Sequence, residues 1–266
     1  MKPPNKKERE ALHDAKNRLG YWYPTVMKLG IPNPETIIIP LDRWTALHWL
    51  EATSALPVEF KDQFQEAYDR LGYPVFIRTD LQSGKHDWRE SCFIESKNID
   101  IWKHLYRVIE YNEMADIMGL NFSAVCVRKY VKPESTFTAW RGMPVGREYR
   151  FFARDGKLEC YHPYWFEDAI GAEHNFHKPP LPADWKSRLA NLYLDTPPGS
   201  LAVYAESVTK TLGGYWSVDF LFAEGRWWLT DMALGDASFH LPHKDDRPFK
   251  EHSLGQLRDD PKGNEQ

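Results

Sequence analysis

The chain has 266 residues, 42% of them hydrophobic, which is enough to bury a core in one large domain or in two smaller ones. Its 34 basic and 38 acidic residues nearly balance, and this argues against broad nucleic-acid binding through a basic surface. No apolar run reaches the roughly 18 residues of a membrane span, and the start has no apolar signal core, so we expect a cytoplasmic protein without a membrane partner.

The first part of the chain predicts helices and one short strand. Apolar residues recur at helical spacing before Gly20, and glycine is common directly after helix ends. A second glycine, Gly72, follows another helical pattern in the same way. The segment over 1–72 thus holds predicted helices over 8–19, 43–53 and 58–71 and a buried strand over 36–39.

Two strands around a polar loop come next. The pattern YPVFIRT over 73–79 predicts a strand that carries Arg78, and SCFIES over 91–96 predicts another. The loop between them places flexible backbone amides and Lys85 where they could cover a phosphate. An ordinary hairpin loop explains this stretch about as well, because it has neither Walker A nor GxGxxG spacing.

A long helix and a basic strand complete this block. Residues 98–118 place apolar side chains at amphipathic helical spacing. Residues 122–131, FSAVCVRKYV, predict a strand that runs into Arg128 and Lys129. Residues 132–146 are predicted to form a loop or a crossover.

A hairpin is predicted over 147–161, REYRFFARDGKLECY, with its turn at Asp155-Gly156. Glu148 and Arg150 lie two residues apart and therefore share one face of its first strand. A cross-strand salt bridge is the simplest interpretation of these two charges.

An irregular, aromatic stretch follows over 162–182. We expect His174 and His177 in it to be exposed or to face a substrate, because no matching third metal ligand accompanies them. Further helices are predicted over 183–194 and 200–212, and the charged end of the chain predicts a flexible tail over 243–266.

The stretch over 217–239, SVDFLFAEGRWWLTDMALGDASF, predicts a second hairpin with a tight turn at Glu224-Gly225. Asp219 and Asp231 lie inside its strands, although buried strands seldom carry uncompensated carboxylates.

The length of the turn decides whether the two acids lie on the same face of the hairpin. A turn with an odd number of residues, centred on Gly225, would place Asp219 directly opposite Asp231, where Mg²⁺ could bridge them. A two-residue turn would instead place them on opposite faces of the hairpin. Asp236, just past the second strand, is a third acid within reach, and exposed carboxylates on an edge hairpin are the alternative.

The order of these elements and their charges resembles the ATP-grasp superfamily over roughly residues 73–240. The segments FIR…SGKHDW, VRKYV and REYRFFARDGKLE are most similar to the cell-division-cycle assembly factors that act on a translation initiation factor and to related small bacterial and phage proteins. The resemblance implies an α/β fold of two lobes, each an antiparallel sheet with helices, which hold ATP in the cleft between them. It divides the chain into an N-terminal segment over 1–72, a first lobe with the hinge over 73–131, a second lobe over 132–242 and the tail.

The resemblance also implies a role for each matching residue of the first lobe and hinge. Arg78 would touch the α-phosphate, and the loop that covers the phosphates would consist of Ser83, Gly84 and Lys85. Backbone groups that read the adenine edge would belong to the hinge residues Lys129, Tyr130 and Val131.

In the second lobe, Glu134 would hold the ribose hydroxyls and Arg150 would neutralise the γ-phosphate, with Asp219 and Asp231 as magnesium ligands. Arg150 and Lys85 are the catalytic candidates. The family often closes with an acid, one residue and an asparagine, whereas here Ala233 stands in the asparagine position, so Asp236 is the candidate replacement ligand.

The implied function is an ATP- and Mg²⁺-dependent ligase. A substrate carboxylate would attack the γ-phosphate, and an amine would capture the resulting acylphosphate; either substrate could be a protein or a peptide. Phosphate transfer to an acceptor is a variant of this chemistry. A second hypothesis is an assembly factor that uses its ATP cleft to dock a partner protein.

Overall fold

The computed structural model describes residues 15–116, 121–172 and 177–240. Its strands form two four-stranded sheets and one two-stranded sheet, all antiparallel. The predicted tail and most of the helix predicted over 8–19 fall outside this range. Within the described residues, no helix is long and apolar enough to cross a membrane. The expected α/β fold with antiparallel sheets is confirmed.

The first sheet has the strand order β1-β4-β2-β3. Its strand β1 comes from the predicted N-terminal segment and pairs with β4, so this segment adds an edge strand to the sheet, while the boundary at residue 72 stays a prediction. The elements of this half are α1 (Leu19–Lys28), β1 (Thr36–Pro40), α2 (Arg43–Leu50), α3 (Val58–Leu71), β2 (Val75–Thr79), β3 (Phe93–Ile94), α4 (Ile101–Asp116) and β4 (Ala124–Lys129).

The second sheet has the strand order β10-β9-β7-β8. A small hairpin, β5-β6, precedes it in the chain. The elements of this half are β5 (Ser135–Ala139), β6 (Met143–Gly146), β7 (Glu148–Arg154), β8 (Lys157–Pro163), α5 (Glu167–Ala172), α6 (Trp185–Asn191), α7 (Gly199–Leu212), β9 (Tyr215–Ala223) and β10 (Arg226–Leu234).

Each sheet has its own apolar core. Phe64 and Ile77 are fully buried in the first core, and Trp216 and Phe151 are fully buried in the second. Full burial of such a side chain contributes about 1.5–3 kcal/mol, so each sheet is held to its helices mainly by apolar packing.

Helix α1 begins at Leu19 and includes Gly20, the residue at which the sequence predicted a helix end, and Pro24. Leu19, Trp22 and Val26 are completely buried in the second core. Their burial outweighs the cost of a glycine inside a helix, which is about 1 kcal/mol. Residues 15–17 are helical and Arg18 is extended, with φ −70° and ψ 138°, so a helix does end within two residues of the predicted end, and a new helix, α1, begins at Leu19.

The β9-β10 hairpin has a two-residue turn, since Ala223 pairs with Arg226. Both turn residues, Glu224 and Gly225, have positive φ angles of 53° and 75°, as a type I′ turn requires. A turn of this length should separate the two acids onto opposite faces, yet Asp219 pairs with Asp231. The register shifts between Leu229 and Asp231, so a β-bulge rather than an odd turn brings the acids opposite each other.

Two stretches predicted to be irregular contain regular elements. Residues 135–146 form the β5-β6 hairpin, and α5 lies within the stretch over 162–182. His177 is buried: its Nδ1 accepts from the backbone N–H of Trp140, and its Nε2 donates to the carbonyl of Ile170. The expectation of an exposed or substrate-facing side chain is thus wrong for His177, and His174 lies outside the described residues.

Candidate functional site

A cleft with an empty volume of about 780 Å³, including space open to solvent, lies between the two sheets. One group of lining residues is apolar or aromatic and comprises Phe76, Trp88, Tyr130, Val131, Met143 and Leu221. The other group is charged and comprises Arg78, Lys85, Arg128, Glu148, Asp219 and Asp231. A flat apolar group and a phosphate chain would each find matching surface in such a cleft.

The two opposed acids of the hairpin stand in this charged region. Asp219 is 2% exposed and accepts two hydrogen bonds from Arg150, at 2.7 Å from Nε and 2.8 Å from Nη2. Arg150 lies directly across from Asp219 on β7, so the cross-strand ion pair of Arg150 is with Asp219 and not with Glu148. Burial raises the pKa of Asp219, and the guanidinium of Arg150 opposes that rise.

Arg78 reaches from the first sheet to the second. Its Nη1 lies 2.9 Å from Oδ2 of Asp231, while Nε and Nη2 donate to the carbonyls of Thr79 and Leu81. Burial works against the charge of Arg78, but Asp231, Cys126 and Asp80 together more than offset it, so the pKa of Arg78 is raised. The ion pair spans the cleft, and the 41% exposed side chain of Asp231 stays accessible to a ligand.

The Ser83-Gly84-Lys85 loop ends in a 3₁₀ turn over Lys85–Asp87. Ser83 and Lys85 line the cleft. The Nζ of Lys85 donates to the hydroxyl of Tyr164 and lies 4.6 Å from the centre of the Trp165 ring. Gly84 has a φ of 60° and a carbonyl bonded to Ser91, and it is not one of the cleft-lining residues. Gly84 therefore shapes the loop that presents its two neighbours.

The hinge residues Lys129, Tyr130 and Val131 follow one another along the cleft. The ring of Tyr130 packs edge-on against Phe93 at 4.9 Å, which builds the aromatic wall. Glu134 is exposed and accepts from the backbone N–H of Gly225 at 3.2 Å. It lies beside the β9-β10 turn and does not line the cleft.

Asp236 is exposed on the short 3₁₀ turn that follows β10, and it does not line the cleft with Asp219 and Asp231. Across the described ranges, no cluster of three or more His, Cys, Asp or Glu side chains could hold a metal ion. Three carboxylates line the cleft, those of Glu148, Asp219 and Asp231, and the last two lie directly opposite each other. Mg²⁺ is usually held by one or two carboxylates, with substrate phosphates and waters completing its shell, so this pair fits the ion.

Glu148 is a cleft residue that the sequence pattern did not assign to the site. It is 9% exposed, and Thr230 Oγ1 donates to its Oε1 over a long distance of 3.4 Å. Burial raises its pKa to about 7, although the charge of Lys85 opposes the rise. Its place two residues before Arg150, on the same strand face, was the only available sequence signal.

Glu148→Gln should make stability less dependent on pH. Because the folded-state pKa of Glu148 is raised from 4.5 to about 7, the protein loses stability as pH rises through this interval. The loss corresponds to about 3 kcal/mol at 1.36 kcal/mol per pKa unit. Urea unfolding from pH 4 to pH 8 measures this. The free energy of unfolding of the variant, relative to that of the wild type, should rise by about this amount across the range.

The matched control is Glu66→Gln, which changes an exposed glutamate on α3. Its difference from the wild type should stay constant over the same pH range. A constant difference for Glu148→Gln as well would contradict the raised pKa.

Arg128 is the second residue that the sequence left unassigned. It is 4% exposed, and its Nη2 has no hydrogen-bond partner within the described part of the chain. A buried, unsatisfied donor beside a cleft is costly unless a ligand or water satisfies it. Together with the aromatic wall and the other cations, this donor fits an anionic, aromatic ligand such as ATP.

Comparisons with known proteins agree with this geometry. A model of the "ATP-grasp domain, R2K clade family 3" matches residues 61–218, more than half of the chain. The fold is similar to that of C-terminally truncated Cdc123 from Schizosaccharomyces pombe, with 12% identity, a TM-score of 0.53 and coverage of 84% of this chain and 85% of that chain. A search of curated protein sequences found no match.

A further similar structure is a D-alanine–D-alanine ligase from Bacillus anthracis complexed with ATP, with 13% identity and a TM-score of 0.45. The match covers 84% of this chain but 56% of the ligase, so the chain spans little more than half the length of that protein. The family match covers β2, β3, β4, β7 and β8 and the first residues of β9, and it decides the assignment. The chain belongs to the ATP-grasp family, R2K clade family 3, and its fold is that of ATP-binding proteins.

Proposed function

We propose that the cleft binds ATP together with Mg²⁺ and that the protein uses ATP as a ligase, activating a carboxylate as an acylphosphate for attack by an amine. The observation that carries the proposal is the pair of arginine–aspartate contacts, Arg150–Asp219 and Arg78–Asp231. Arg78 and both acids line the aromatic cleft, and Arg150 contacts Asp219 although it is not itself one of the lining residues. Acids and cations placed together in this way can hold a metal ion and phosphate oxygens at the same time.

Each group of residues has a proposed role that follows from its position. Arg78 and Lys85, from the first lobe over 73–131, would bind the phosphates, and Arg150, from the second lobe over 132–242, would neutralise the γ-phosphate. Asp219 and Asp231 would hold Mg²⁺, which supplies charge neutralisation at the phosphate oxygens when bound. The aromatic wall at Tyr130 would hold the adenine ring.

In the proposed reaction, the protein mainly positions the substrate and the phosphate groups of ATP. Phosphate transfer to a carboxylate requires the substrate carboxylate to approach the γ-phosphate, and both groups are anions. Buried cations reduce the electrostatic repulsion between them. Arg150 fits this role because it is fixed by two hydrogen bonds to Asp219 and needs no reordering. Glu148, which lines the cleft together with Lys85, would face the amine-bearing substrate.

Calorimetric titration with ATP, with and without Mg²⁺, tests the binding. We expect ATP to bind and Mg²⁺ to strengthen the binding, after which carboxylates and amines, including peptides, can be screened for ADP release. Failure to bind ATP under either condition would refute the proposal.

Arg78→Ala should weaken ATP binding by about 10–100-fold, the effect of losing a charge-assisted hydrogen bond, and should change adenosine binding little. The difference arises because Arg78 contacts the charged part of the cleft and not the aromatic wall. Titrations with both ligands measure it. Arg70→Ala, which removes an exposed arginine on α3, is the control and should alter neither affinity.

Equal weakening of ATP and adenosine by Arg78→Ala would contradict a phosphate role. It would point instead to a folding defect, which thermal unfolding of the variant would reveal.

An assembly factor that docks a partner protein is the second candidate. It is favoured by Ala233, which cannot ligate a metal through its side chain, and by the arginines that already neutralise Asp219 and Asp231. Nucleotide binding that depends on a partner protein, without ADP release for any substrate, would favour this function over the ligase.

A further inference from the structure

The β-bulge on β10 decides where Asp231 points. From the turn to Leu229, the strands pair so that Leu229 lies opposite Phe220. Continued unchanged, that register would place Thr230 opposite Asp219 and turn Asp231 to the other face. Thr230 is the extra residue, and it restores Asp231 to the position opposite Asp219.

Arg128 holds this extra residue from the other sheet. Its Nη1 donates to the backbone carbonyl of Thr230 at 2.7 Å, and its Nε donates to the hydroxyl of Thr36 at 3.0 Å. Thr36 lies directly across from Arg128 on β1. One guanidinium therefore connects an edge strand of the first sheet, β4 and the bulge of the second sheet.

The surroundings make a cation at this position expensive. Burial, followed by the nearby charge of Arg78, lowers the pKa of Arg128 to about 10. An apolar side chain would pack in the wall of the cleft without this cost. An apolar side chain could not, however, donate to the carbonyl of Thr230 or to the hydroxyl of Thr36.

We propose that Arg128 is a positioning residue that fixes the Thr230 bulge and thereby keeps Asp231 opposite Asp219 for the metal-dependent step. The inference rests on the proposed Mg²⁺-ATP binding for its functional consequence, but the contact with the bulge is independent of any ligand. Arg128 acts through Asp231 and is not itself assigned to the metal.

The test compares ATP binding by wild type and Arg128→Met, with and without Mg²⁺. The strengthening by Mg²⁺, taken as the ratio of the two affinities, should fall by about 10–100-fold, as when a residue that orients a metal ligand is removed. Arg128 also lines the cleft, so a loss of affinity shared by both conditions is a separate effect. Equal weakening under both conditions, which leaves the ratio unchanged, would overturn the inference, because Arg128 would then act only as a direct contact of the nucleotide.

Hydrogen exchange supplies a readout that needs no ligand. Backbone amides over residues 226–234 should exchange faster in Arg128→Met, because the bulge loses its contact with the first sheet. Arg128→Lys keeps the charge but cannot reproduce the two-sided contact, so it should also exchange faster and lose part of the Mg²⁺ effect. Wild-type exchange in both variants would overturn the inference.

Thr36→Val is the matched control. It removes the partner of Arg128 Nε and leaves the contact with Thr230 in place. The Mg²⁺ effect should be retained, and a loss as large as in Arg128→Met would overturn the bulge as the point of action. If the wild type binds ATP without any Mg²⁺ effect, the proposed function fails, and the exchange experiment alone then decides the role of Arg128.

Discussion

Replacing Arg150 with methionine should lower the free energy of unfolding by about 3–5 kcal/mol, the typical cost of removing one partner of a buried ion pair. Asp219 is 2% exposed and would lose both hydrogen bonds from the guanidinium. Its carboxylate would then be a buried charge without its strongest partner. Urea unfolding of the purified variant at pH 7 measures the loss.

The double variant Arg150→Met with Asp219→Asn should recover much of the loss, because neutralising both partners leaves no unpaired buried charge. Arg154→Met is the control on the same strand: Arg154 forms an exposed ion pair with Glu159, so its removal should change stability little. An effect of Arg150→Met no larger than that of Arg154→Met would show that the buried pair does not stabilise the fold.

Arg150→Met should also reduce discrimination between ATP and ADP. The proposed contact of Arg150 is with the γ-phosphate, which ADP lacks, so only ATP should lose affinity. Titrations with both nucleotides, at a temperature where the variant is folded, measure this. A parallel loss for ATP and ADP would contradict the assignment of Arg150 to the γ-phosphate.

Asp231→Asn should abolish the strengthening of ATP binding by Mg²⁺ and lower any ATP turnover by about 10²-fold or more. The amide removes one of two carboxylates from the proposed metal site and leaves Arg78 without its counter-charge. Since the side chain of Asp231 is 41% exposed and Arg78 keeps its bonds to Thr79 and Leu81, the fold should survive. Titration with and without Mg²⁺, together with thermal unfolding, tests both parts.

Asp236→Asn is the matched control for this variant. Asp236 lies on the turn after β10, away from the residues that line the cleft, so we expect wild-type Mg²⁺ dependence. Persistence of the Mg²⁺ effect in Asp231→Asn, with its loss in Asp236→Asn, would show that the metal ligands have been assigned to the wrong acid.

The pairing of Asp219 with Asp231 shows how a correct expectation can have a different cause. The sequence offered two turn lengths, and only the odd one placed the acids opposite each other. The structure has the two-residue turn and obtains the pairing from the bulge at Thr230. No local sequence pattern predicts this bulge, because the residue that contacts it, Arg128, belongs to the other sheet.

The roles assigned by resemblance remain predictions, and the residues that carry them fall into two groups, those that line the cleft and those that do not. The structure brings Arg78, Lys85, Tyr130 and the two acids into one cleft. Glu134 lies at the β9-β10 turn and Asp236 on the turn after β10, and neither they nor Arg150 line the cleft. Sequence order alone could not make this division, because a residue next to a cleft-lining neighbour can point away from the cleft.

The sequence by itself determined the order of most helices and strands, the two hairpin turns at Asp155-Gly156 and Glu224-Gly225, and the resemblance to the ATP-grasp family. These features depend on local spacing and turn chemistry, which a single stretch of chain contains. Only the tertiary structure decided that Arg150 pairs with Asp219, that Arg78 crosses to Asp231 and that Arg128 holds the bulge. Such contacts join strands far apart in the chain, so they depend on how the two sheets pack and not on any local pattern.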